Sequence, residues 1–220
     1  MGSARRHRAA EGELAGARHP GQDGRMGRPN RGAERRAGAI HRIAEAFAEL
    51  GYRRATTALL AERCGLTEVA LYRLWPDKTA MFVAAIEYVG DHTERIWQQV
   101  SAAAGRGSGA ERVLAHEQEH LGEFGFHRIL FAGFSETDEP TIRSALRAVY
   151  ERLLHRIADL VAAHRGRRRS ILPPPDLAAW ALLGLGTATN LGRELGLLGP
   201  AARSRLFAAI GRHLLGPADD

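Results

Sequence analysis

The stretch GLTEVALYRLWPDK, Gly65 to Lys78, decides how this chain is read. Thr67 can cap a short helix that runs through Leu74, and Pro76 marks its end. Just upstream, Thr56 and Thr57 can cap another short helix carrying Leu59, Leu60 and Cys64, closed by Gly65. Two short helices joined through Cys64-Gly65-Leu66-Thr67 have helix-turn-helix proportions. Leu60, Ala61, Leu66, Leu71 and Trp75 are spaced to pack the pair onto a preceding helix. That leaves Thr67, Glu68, Val69, Ala70, Tyr72 and Arg73 at the start and outer face of the second short helix. In a helix-turn-helix this is the part that enters the major groove and meets base edges. A helical hairpin that touches no nucleic acid fits the same pattern.

Helical periodicity continues outward on both sides. Ile40, Ile43, Ala44, Phe47 and Leu50 recur at helical spacing, and Gly51 then supplies a stop. Asp77 can cap a helix bearing Met81, Phe82, Ala85, Ile86 and Val89, and later Ile96 and Val100. A break at AGRGSG (Ala104 to Gly109) precedes helices expected at roughly 110–124, 126–135, 138–165, 175–196 and 200–215. The third of these carries one stripe: Ile142, Leu146, Val149, Leu153, Ile157, Leu160 and Val161. No segment alternates with period two, so the fold class is all-α, with about nine helices. Residues 1–33 are Gly/Arg-rich without an apolar stripe and are expected to form a disordered basic arm.

Composition bounds the function. The 220 residues suffice for a sizeable core, and no apolar run reaches the ~18 residues of a membrane span. A single cysteine, Cys64, excludes an intrachain disulfide and suits a cytoplasmic protein. The net charge of +6 points toward a polyanion. Arginine supplies every basic position but one, Lys78, which follows directly on Trp-Pro-Asp. A second basic run, Arg165 to Arg169, is expected to be a solvated loop.

HEQEH, His116 to His120, places two histidines at i and i+4 with Glu117 between them, as in zinc peptidases. It supports one alternative, a metal-dependent hydrolase, although no strand-containing catalytic domain accompanies it. A further alternative is a helical protein that binds DNA through its charge, without sequence preference.

The stretch TTALLAERCGLTEVALYRLWPDKTAMF, preceded by IHRIAEAFAELGYRRA, resembles the DNA-binding domain of the tetracycline-repressor (TetR) family of bacterial transcriptional regulators. The agreement covers about residues 36 to 90; beyond it only helix number and order agree. The resemblance implies a helix-turn-helix DNA-binding domain over 34–80 and a helical ligand-binding and dimerisation domain over 81–220. It gives Lys78 and Thr57 the family's phosphate-gripping positions and Tyr72 the recognition-helix tyrosine. Thr67, Glu68, Val69, Ala70 and Arg73 then take cap, base-facing or groove-lining places. Arg73 suits guanine, Glu68 a cytosine amino group, and the apolar pair thymine methyls. Two features depart from the pattern: Leu74 stands where many members carry a phosphate-contacting His or Tyr, and Glu68 brings negative charge toward DNA.

The resemblance also implies a cavity for a lipophilic small-molecule effector. Its candidate lining is Trp97, His120, Phe124, Phe126, His127, Phe131, Phe134 and Trp180. The last two helices would pair with a second copy through Gly184, Ala188, Leu206, Ile210 and Leu214, making a homodimer. The expectation is therefore a non-enzymatic, cytoplasmic repressor without cofactor or metal, binding a palindromic double-stranded operator and released by its effector.

Overall fold

The computed structural model describes residues 31–123, 125–166 and 172–217. Among them are α-helices and no strands. The helices begin where the side-chain chemistry places their caps. The Thr56 hydroxyl accepts from Leu59 N at the start of α2 (Thr57–Cys64), and that of Thr67 from Ala70 N at the start of α3 (Glu68–Tyr72). The Asp77 carboxylate does the same for Ala80 N at the head of α4 (Lys78–Ala102). Ser108 and Glu111 make a reciprocal capping box on α5 (Gly109–His120).

Before these runs α1 (Arg31–Arg54), in which Gly51 at φ 72 breaks the helical backbone and redirects the chain into the next helix. Helix α1 includes residues 31–33, so the expected arm ends earlier than the sequence suggests; its remainder lies outside the described residues. Gly65, at φ 64, closes α2 in the left-handed conformation that only glycine adopts without cost. After α5 come α6 (His127–Phe134), α7 (Pro140–Arg165), α8 (Pro175–Glu194) and α9 (Pro200–Leu215). Helix α5 stops at His120, short of the expected 124, and Gly122 follows at φ 74.

Helix α1 lies against α2, α4 and α6, and α4 lies against α7. Ile43, Phe47, Leu60, Leu71, Phe82 and Ile86 are fully buried in one apolar cluster that continues through Ile129 and Ile142 to Leu153. Residues 80 and 81, where the sequence divides one part from the next, are consecutive residues of α4 inside this cluster's helix. At Gly90 a Cβ would come within 2.8–3.0 Å of Arg152 and Val149, so the α4–α7 crossing depends on that missing atom. A second cluster, including Leu114, Val161, Ala178, Phe207 and Leu215, joins α5, α7, α8 and α9.

The run from Arg165 corrects the expectation of a solvated loop at its first residue. Arg165 is only 8% exposed, and its guanidinium donates to the carbonyls of Leu215, Leu214 and Pro173. It ties the end of α7 to the otherwise unsatisfied C-terminal carbonyls of α9. Neighbouring His164 donates from Nε2 to the Gly216 carbonyl at 2.9 Å, which leaves Nδ1 to accept from the Ser108 hydroxyl at 2.7 Å. Replacing Arg165 with Met should lower stability by about 1–3 kcal/mol, because buried carbonyls lose their donor. Urea denaturation reads this directly; an unchanged midpoint would mean that water satisfies those carbonyls equally well. Arg167–Arg169 lie outside the described residues.

Candidate functional site

Two regions hold the residues singled out from the sequence: the outer face of α3 with the heads of α2 and α4, and a cavity among the later helices. In the first, Leu71, Leu74 and Trp75 are buried and fasten α3 to the core. Arg36 of α1 adds a hydrogen bond to the Leu74 carbonyl and lies over the Trp75 ring at 5.6 Å. The opposite face is uncovered. Thr67, Glu68, Tyr72 and Arg73 are exposed, Val69 is 64% exposed, and Ala70 is half-buried. A short helix, held inward by its own Leu71 and by Leu74 and Trp75 just after it, thus presents a valine and a tyrosine outward, with the capping Arg73 beside them.

Residues far apart in sequence meet here in two pairs. The Thr57 hydroxyl donates to Glu68 Oε2 at 2.7 Å, so the carboxylate that sequence reading placed toward DNA has a partner within the protein. Lys78, the first residue of α4, donates from Nζ to the Tyr52 carbonyl at 3.1 Å and sits 4.4 Å from the centre of the Tyr52 ring. A cation at a helix N-terminus meets the positive end of the helix dipole; the carbonyl and ring face of Tyr52 offset that cost. The Tyr52 hydroxyl is in turn bonded to Thr79 Oγ1 at 3.0 Å. Sequence reasoning missed Tyr52 as the residue that orients Lys78. The available signal was Gly51, whose break in α1 turns Tyr52 back toward α4.

The second region is a cavity of about 220 Å³ lined from α4 through α9. Trp97, His120, Phe126, His127 and Phe131 of the expected lining border it. Phe124 lies outside the described residues. Two expectations are corrected. Phe134 is exposed and packs on the Tyr150 ring at 5.6 Å without bordering the cavity. Trp180, 61% exposed, stands on the outer face of α8. Both are aromatic residues on amphipathic helices, and helical period alone does not say which neighbour their side faces.

Polar groups interrupt the cavity wall. The Trp97 indole donates to Glu117 Oε1 at 2.6 Å. Burial pushes the Glu117 carboxyl above its ordinary range, while the indole and the nearby His120 pull it down. His127 Nε2 donates to Glu194 Oε1 at 2.9 Å, and burial holds its imidazole below the usual value. Arg128 holds the Glu194 carboxylate low from the other side. The His116 and His120 rings lie tilted at 39° with centroids 4.6 Å apart, and His120 also pairs with Glu123 at 2.9 Å. Among the described residues no group of three His, Cys, Asp or Glu side chains is arranged to hold a metal ion. Glu117 of HEQEH, which in a zinc peptidase would act as the base on a metal-bound water, is held by the Trp97 indole.

On the far side of α8, Leu177, Trp180, Leu191 and Leu195 are exposed, with Gly184 and Ala188 among them. A Cβ at Gly184 would meet only open space. On α9, Ile210 is exposed, while Leu206 and Leu214 are half-buried. No described helix is long and apolar enough to cross a membrane.

Comparison with known proteins places this geometry. Residues 39–85 match the family described as bacterial regulatory proteins, tetR family. The nucleoid occlusion factor SlmA of Pectobacterium carotovorum subsp. carotovorum is 32% identical over 127 residues, 56% of this chain and 57% of that protein. SlmA of Haemophilus influenzae is 54% identical over 41 residues, 19% of each chain. The chain therefore spans little more than half the length of the Pectobacterium relative. A TetR-family transcriptional regulator from Rhodococcus sp. superposes with a TM-score of 0.68 at 20% identity, covering 84% of this chain and all of that one. The TetR-family regulator of Cytophaga hutchinsonii gives 0.70 at 15% identity, covering 88% of this chain and all of that one. These two likenesses establish the fold.

Proposed function

With residues 39–85 a TetR-family N-terminal domain, on a chain that has the fold of TetR-family regulators, we propose that this protein is a homodimeric, effector-released repressor of transcription. The observation that carries the DNA-binding part is the outer face of α3, where Val69, Tyr72 and Arg73 stand uncovered on a helix locked from behind. In this reading Thr67 and Ala70 set the helix start against the groove, and Arg73 reads a base. Thr57 and Lys78 grip phosphate on either side. Lys78 Nζ gives one donor to the Tyr52 carbonyl and keeps two for a phosphate oxygen. Glu68 releases or shares Thr57 when DNA arrives, so its carboxylate becomes free to accept from a cytosine amino group.

The division of labour follows the helices: DNA reading by α1–α3, and effector binding and dimerisation by the later helices. Helix α4 connects the two tasks. Lys78 begins it, and Val89, Ile96 and Trp97 on the same helix line the cavity. A ligand that favours one setting of α4 would alter the spacing of recognition helices in a dimer; one indifferent to both settings would do nothing. The cytoplasm is where such a protein meets DNA.

Selection of bound sites from random DNA tests the reading. A palindromic consensus supports it, and sequence-indifferent, salt-sensitive binding would replace it with the charge-driven alternative. Arg73→Ala should relax preference at one base pair per half-site, at a cost of roughly 1–3 kcal/mol. Titrating the mutant against single-base operator variants checks this; an unchanged preference would reassign Arg73 to the phosphate backbone.

The similarity to nucleoid occlusion factors supports a second reading, in which site-specific DNA binding serves a task other than gene control. Mapping bound sites on the chromosome separates the two: sites at promoters favour the repressor, and sites away from them favour the other. The hydrolase alternative has no geometric support, because Glu117 is turned to Trp97 and the matched family is one of regulatory proteins.

A further inference from the structure

The cavity's polar groups specify more than a lipophilic guest. Of the 31 Arg and Lys side chains in this chain, none among the described residues lines the cavity. Two carboxylates do, Glu117 and Glu123. Glu123 is exposed and already paired with His120, which leaves Glu117, the less exposed of the two, as the cavity's acid. Its one side-chain hydrogen bond is the Trp97 N–H on Oε1. Isolating a carboxylate from water costs several kcal/mol unless a counter-charge joins it.

Two further lining residues carry acceptor atoms without a partner. Asn190 is 7% exposed, and its Oδ1 is buried with no hydrogen-bond donor. His127 spends its Nε2 hydrogen on the Glu194 carboxylate, so Nδ1, also buried and unpartnered, offers a lone pair. Among the other lining imidazoles, burial pushes those of His92 and His116 below their ordinary value, and the third, His120, is exposed and paired with Glu123. The wall is therefore largely apolar and aromatic, with a half-buried acid and unfilled acceptors. What it lacks is an arginine or lysine to offset that acid.

Building on the effector-site reading, we propose that the cavity takes a lipophilic amine, its ammonium paired with Glu117 and its apolar body against Ile96, Phe131 and Leu160. The Trp97 and Phe126 rings, which also border the cavity, add attraction for a cation. Asn190 Oδ1 and His127 Nδ1 accept further N–H groups where the ligand carries them.

Calorimetric titration of the full chain with 4-phenylbutylamine, 4-phenylbutanol and 4-phenylbutyrate tests this, because the three differ only in the polar end. The amine should bind about tenfold or more tighter than the alcohol, a difference of one ion pair, with the carboxylate weakest. Glu117→Gln, which keeps an acceptor for the Trp97 N–H, should erase the amine's advantage and leave alcohol binding within about twofold. If the alcohol or carboxylate matches the amine in the wild type, the cavity remains a ligand site but the cation is wrong. If Glu117→Gln leaves the preference intact, Glu117 is not its source and the pairing is overturned. If none of the three binds, the effector-site reading itself falls.

Discussion

A glutamate in place of Gly184 will turn the protein monomeric and reduce operator affinity by about 10²–10⁴-fold, the factor that joining two half-sites contributes. The substitution suits this purpose because the position is open: a Cβ there touches nothing, so one chain accommodates the new side chain. Helix propensity even improves when glycine is replaced. Only packing of this face against a second copy would bury the charge, and an unpaired buried charge is strongly unfavourable. Leu206→Glu should also dissociate the dimer, but Leu206 is half-buried within its own chain, so its variant will lose some monomer stability as well. Sedimentation and operator titration on the same Gly184→Glu samples link the two effects. A variant that stays dimeric would put the interface elsewhere, away from the exposed Leu177, Trp180 and Leu191. A monomer with undiminished operator affinity would defeat the two-half-site mechanism, which needs recognition helices about one DNA turn, roughly 34 Å, apart.

Lys78→Ala should weaken binding to operator and random DNA by the same factor, about tenfold or more, because a phosphate contact positions the protein without reading sequence. The slope of log affinity against log salt should become shallower by about one unit for each half-site. The lysine also holds the Tyr52 carbonyl, so a thermal melt of the variant measures how much of the loss is structural. Tyr52→Phe serves as the comparison: it breaks the bond to Thr79 but keeps the ring and carbonyl beneath Lys78. Its salt slope should match the wild type. A loss confined to one operator base pair in Lys78→Ala would make Lys78 a reader of sequence and overturn its role as anchor.

Much of this molecule is legible without coordinates. Thr56, Thr67 and Asp77 cap the helices whose starts they mark, and Gly51 and Gly65 break the chain where the helical pattern stops. Leu71 and Trp75 face inward while Val69 and Arg73 face out, as their spacing requires. These outcomes depend on a residue and its neighbours within about one turn, and hydrogen bonds of that range form in much the same way in any surrounding. The helix order and the all-α class follow from the same local rules.

Other features depend on elements distant in sequence. Thr57 meets Glu68 only because Gly65 folds α2 back on α3, and Lys78 meets Tyr52 only because α1 and α4 pack together. Arg165 stands at the head of an arginine run that looks solvated, yet the end of α9 arrives over it with bare carbonyls and draws it inside. Trp97 and Trp180 are both tryptophans on amphipathic helices; one borders the cavity and the other lies exposed on α8. Glu117 belongs to a motif that suggests a metal, and its direction was decided by the Trp97 indole on a neighbouring helix. By itself the sequence determined where helices begin, where they end and which face is apolar. Only the tertiary structure decided what each face meets, because that choice depends on burial and pairing between groups that the chain order keeps apart.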